Sequence, residues 1–235
     1  MKLVIPMDRL SIMVPKQKND SASLSIPVHL VTLDANLDIP DGATKLTLLV
    51  EGAAEKLGTR SGMHFNRLRD KLRSENIATL ALDSLLTREE RSITLNEVDT
   101  NLLKDRLLTV VNWIRGYDKT KNLKLFCCVS YDAATYVLKA VIENRLKLEG
   151  IISISGDLNG FAEKNKVAEL DIPMLLIFGG FDFSRIEKNK QLFIEPKKQK
   201  REMEIVQLSS GLFTEEKKWD QAMDKIAIWL NTVRS

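Results

Sequence analysis

Residues 127–137 read CCVSYDAATYV, and a serine stands where an apolar run stops and a helical pattern begins. The run ahead of it, 123–129, is nearly continuous in apolar residues, as a strand covered on both faces is. A serine at such a junction has two readings. It is either a nucleophile lifted on a sharp strand-to-helix turn or a helix N-cap whose hydroxyl takes an orphan backbone N–H.

The pattern repeats on either side of this stretch. Short apolar segments at 24–33, 45–50, 77–82, 150–155, 173–178 and 203–208 have strand length. Between them apolar residues recur at three and four: Phe65, Leu68 and Leu72; Leu103, Leu107, Val110, Val111 and Ile114; Trp219, Met223, Ile226, Ala227 and Leu230. Alternation of this kind predicts an α/β fold, a mostly parallel sheet with helices on both faces. Residues 1–44 read as two or three strands with no helix between them, an antiparallel lead-in to a core at 45–235. A chain of 235 residues without an internal repeat or Gly/Ser-rich linker is expected to form one domain, 1–235.

Composition narrows the function classes. The 35 basic and 32 acidic residues leave a net charge of +3, which argues against duplex DNA as a partner. No apolar run approaches the roughly 18 residues that span a bilayer, and MKLVIPMDRL lacks the pattern of a secretory signal, so a cytoplasmic protein is expected. The two cysteines, Cys127 and Cys128, are adjacent and point to opposite faces of a strand, the arrangement of reduced core thiols. The two histidines, His29 and His64, are far apart, and no metal-ligand spacing occurs, so neither a metal nor a cofactor is expected.

In an open α/β sheet, ligands bind outside the carboxyl ends of the strands. Four segments lie there: Glu51-Gly52-Ala53-Ala54, Ser130-Tyr131-Asp132, Gly179-Gly180-Phe181-Asp182 and Ser209-Ser210-Gly211. Their order is the chain order in which an α/β-hydrolase supplies its oxyanion loop, nucleophile, acid and histidine. With IATLALD, LKLFCCVSYDAA, IPMLLIFGGFD and MEIVQLSSGLF, the chain from about residue 45 onward resembles the α/β-hydrolase family, in its small, cap-less dienelactone-hydrolase-like branch. The resemblance implies a three-layer fold, Ser130 at the nucleophile position, Asp182 at the acid position, and a crevice bordered by Glu51, Gly52, Tyr131, Asp132 and Ser210.

The catalytic pattern departs from the family. Both glycines of the G-x-S-x-G elbow are replaced in Cys128-Val129-Ser130-Tyr131-Asp132, and Glu51 brings a carboxylate to the oxyanion loop. Gly211 stands at the position of the histidine. Without a base a serine hydroxyl stays protonated and is a poor nucleophile. The bland readings are therefore favoured: Ser130 as an N-cap, Asp132 as complement to the helix dipole, and Asp182 as a turn residue neutralised by Arg185. His64 at the start of a helix is the weaker candidate for a substitute base, and Cys128 points into packing.

The expected function is a non-catalytic α/β-hydrolase-like protein that binds a small ligand or an unknown protein partner. One alternative is a hydrolase of small esters or lactones using Ser130 with a non-standard base; another is an interaction subunit of a larger complex. The basic run 196–201, with four cations in Lys197–Arg201, and the charged stretch Arg88-Glu89-Glu90-Arg91 read as a solvated loop and as scaffold.

Overall fold

The computed structural model describes residues 20–52, 61–82, 84–93, 99–156, 158, 164–190 and 201–233. Eight strands, β1 (Asp20–Val28), β2 (Val31–Ile39), β3 (Lys45–Val50), β4 (Ala78–Leu82), β5 (Lys124–Ser130), β6 (Gly150–Ile154), β7 (Met174–Gly179) and β8 (Arg201–Val206), form one sheet in the order β1-β2-β4-β3-β5-β6-β7-β8. From β4 to β8 every pairing is parallel; β2 joins β4, and β1 joins β2, antiparallel. The helices are α1 (Ser61–Ser74), α2 (Thr100–Gly116), α3 (Ala133–Asn144), α4 (Lys164–Glu169), α5 (Phe183–Lys190) and α6 (Lys218–Thr232).

The antiparallel lead-in is present, but its boundaries differ from the sequence expectation. The apolar segment 24–33 is not one strand, because the chain reverses at His29-Leu30 and pairs Val28 with Val31. His29 makes the turn at φ +52, a conformation for which hairpins normally use Gly, Asn or Asp, so no turn signal marks the reversal.

The inner strands β3 to β7 are buried on both faces because each face has its own helical layer, while β1, β2 and β8 toward the edges alternate or stay half-exposed. Phe65, Leu68 and Leu72 of α1 and Trp219, Met223, Ile226 and Leu230 of α6 pack on Leu49, Phe126, Cys128, Ile152 and Ile177. The α2 and α3 helices cover the alternate residues, among them Leu48, Val50, Cys127, Val129 and Leu176. Cys127 and Cys128 thus face opposite layers, neither of them in a disulfide, and burial pushes the Cys127 thiol up to about 12. Truncating a fully buried anchor such as Leu68 to Ala removes packing worth about 2–5 kcal/mol.

The charged stretch after β4 is scaffold. Thr87 and Glu90 form a reciprocal capping pair, the Thr87 N–H donating to Glu90 Oε2 at 2.9 Å and the Glu90 N–H to Thr87 Oγ1 at 3.3 Å. The same carboxylate clamps the buried guanidinium of Arg106 on α2, which also donates to the Leu85 carbonyl at 2.8 Å. Arg106 holds the Glu90 carboxyl down to about 2.

Strand order reverses at β3: β4 lies on one side and β5 on the other. The crevice of such a sheet opens at the carboxyl ends of the strands flanking that switch. Among the described residues no helix is long and apolar enough to cross a membrane.

Candidate functional site

The chain leaves β5 through a strained turn, and its tip lies one residue beyond the expected place. Ser130 is the last residue of β5, paired with Ile154 and 1% exposed, and its Oγ accepts the Gly52 N–H at 3.1 Å. It is not the helix cap, since α3 starts at Ala133 with Asp132 in the N-cap position and no side-chain cap bond there. A cap hydroxyl must reach an N–H two or three residues ahead inside the helix, and a residue still in the strand ladder is too early for that. Tyr131 makes the turn instead. It has φ +48, and its N–H bonds the Ile154 carbonyl at 3.0 Å. Left-handed backbone at a bulky residue costs about 1–3 kcal/mol and persists only where the surroundings impose it.

The loop after β3 presses on this turn. A Cβ on Gly52 would lie 2.5 Å from the Ser130 carbonyl oxygen and 2.2 Å from Asp132 Oδ1, so only glycine fits. The Asp132 carboxylate therefore sits against Gly52, bringing negative charge to the place where an oxyanion loop offers donors. Glu51, half-buried, precedes it; Ala53 and Ala54 lie outside the described residues.

On the other side of the crevice, the turns after β7 and β8 meet. A Cβ on Gly211 would come within 2.7 Å of Asp182 Oδ2 and 3.3 Å of Ser155 Oγ. The Gly211 carbonyl accepts two hydroxyls, from Tyr131 at 2.7 Å and from Ser155 at 2.9 Å. Asp182 is held by Arg185 at 2.7 Å, and the same guanidinium lies 5.3 Å from the centre of the Tyr131 ring. Ser210 turns away: its N–H and Oγ donate to Glu215 at 2.9 and 3.2 Å. Burial alone would raise the Glu215 carboxyl, but hydrogen bonds from its own backbone, Ser210 and Ser209 outweigh it and hold the group below the usual range.

Solved structures match this fold over nearly the whole chain. A dienelactone hydrolase from Anabaena variabilis superposes with a TM-score of 0.80 at 24% identity, covering 92% of this chain and 99% of that one. The chain has the α/β-hydrolase fold. Est1E from Butyrivibrio proteoclasticus (TM-score 0.69, 12% identity, 90% and 98% covered) shares this fold. So does a lid-less α/β serine hydrolase from Xanthomonas campestris (0.64, 16%, 90% and 92%). No family model matches the sequence, and no curated protein matches it.

Within this α/β-hydrolase fold, the histidines occupy other places. His29 is on the β1–β2 turn, its ring 3.4 Å from Thr109 Oγ1. Four strand spacings separate β1 from β5, roughly 19 Å. The His64 ring meets Trp219 edge-on at 4.6 Å, and Trp219 Nε1 donates to the His64 carbonyl at 3.1 Å. It lines a groove of about 580 Å³ with Arg67, Phe213 and Lys217. Among the described residues no three His, Cys, Asp or Glu side chains converge as metal ligands would.

The expected set is thus brought together in part. Tyr131, Asp182 and Gly211 meet, Gly52 and Asp132 touch, and Ser130 lies behind the turn. Sequence reasoning missed Ser155 and the tip role of Tyr131. The available signal was Ala133, a small residue suited to close approach, which follows Tyr131 at the spacing that the elbow's second glycine keeps from the nucleophile.

Proposed function

We propose that this chain is a non-catalytic α/β-hydrolase-like protein, a pseudo-hydrolase, whose scaffold serves binding or assembly. The observation that carries the reading is the 2.7 Å hydrogen bond from the Tyr131 hydroxyl to the Gly211 carbonyl. In this fold the nucleophile sits on the strained strand-to-helix turn. Tyr131 has that backbone, so we assign it, rather than Ser130, to the nucleophile position. Gly211 is at the histidine position, and the two are bonded to each other.

Such an arrangement has no route to an activated nucleophile. A phenol donates its proton to a backbone carbonyl, which is no base, and the carboxylate that would orient an imidazole is paired with Arg185. Loss of the histidine alone costs about 10⁶ in turnover in a well-studied triad enzyme. Ser130 is no substitute, because its hydroxyl is buried and engaged with Gly52.

Strain nevertheless persists at the rim. Tyr131, Ser155, Leu208 and Phe213 all hold positive φ on the turns around Gly211. Strained backbone kept where the chemistry has gone favours a use for the shape itself, the binding of a small ligand or a protein partner. The reduced thiol pair suits a cytoplasmic setting. Hydrolysis of p-nitrophenyl acetate by wild type and Ser130→Ala tests the reading. Equal rates at the buffer background are expected, and turnover that depends on Ser130 overturns it.

A further inference from the structure

We draw no further inference here: the strongest candidate, the groove of about 580 Å³ between the start of α1 and the turn from β8 into α6, carries nothing, because Arg67 is paired with Asp220, Lys217 is balanced by Glu216, Phe213 and Trp219 are buried, and nothing in the structure shows what would fill it.

Discussion

Gly211 and Asp182 lie against each other: a Cβ on Gly211 would fall 2.7 Å from Asp182 Oδ2, so a side chain there needs the carboxylate to give way. The near atom is the end of a side chain, and Gly211 holds no left-handed φ, so a larger residue is sterically admissible there. On the proposed reading, what blocks the chemistry is occupancy. Arg185 holds the carboxylate, Tyr131 holds the tip, and Asp132 lies against Gly52.

Reconstruction is therefore expected to need all four positions. Tyr131→Ser/Asp132→Gly/Arg185→Ala/Gly211→His should acquire labelling by a fluorophosphonate at position 131, detectable by mass spectrometry, whereas Gly211→His alone should not. Labelling of Gly211→His at Ser130 would show that the nucleophile position had been placed one residue too far along.

Tyr131→Phe removes one of the two hydroxyls on the Gly211 carbonyl and leaves that of Ser155. Urea unfolding should show a loss of about 1 kcal/mol, the usual net contribution of one hydrogen bond. An unchanged midpoint would mean that the bond does not help to hold the two turns together.

How far the sequence revealed this architecture depends on which forces act locally. The strand at 45–50 and the stripes Phe65/Leu68/Leu72 and Trp219/Met223/Ile226/Leu230 were legible because burial imposes a period that residues record directly. The His29 turn was not, because its positive φ falls on a residue outside the Gly, Asn and Asp that signal hairpin turns. Ser130 misled for a related reason. It is a polar residue inside the last rung of a strand, kept there by the Gly52 N–H across the crevice, a contact between positions 78 residues apart. The sheet order with β4 outside β3 is likewise set by crossovers, which leave no mark in local periodicity.

The Glu90–Arg106 clamp gives the fold a defined acid sensitivity. The Glu90 carboxyl titrates at about 2 when folded against an ordinary 4.5, so its depressed value stabilises the native state. That contribution, about 3 kcal/mol, is fully present above pH 4.5 and is lost as pH falls through 2. Glu90→Gln should lower stability at pH 7 by about 3 kcal/mol, because it leaves the buried Arg106 charge without its carboxylate. It should also flatten the pH dependence of the unfolding midpoint between 4.5 and 2.

The thiols supply a check on the core. Cys127 and Cys128 are 1% and 0% exposed, and deprotonation of Cys127 is pushed up to about 12. Neither should react with N-ethylmaleimide in the native protein at pH 7.5, and both should react in urea. Rapid modification of the folded chain would place β5 at the surface.

The most direct measurement is exposure of the wild-type protein to a fluorophosphonate probe, followed by intact-mass and peptide analysis. The account predicts an unmodified chain, since the tip of the turn is a phenol bonded to a backbone carbonyl and the neighbouring serine is buried. A stoichiometric adduct on Ser130 that disappears in Ser130→Ala would contradict it.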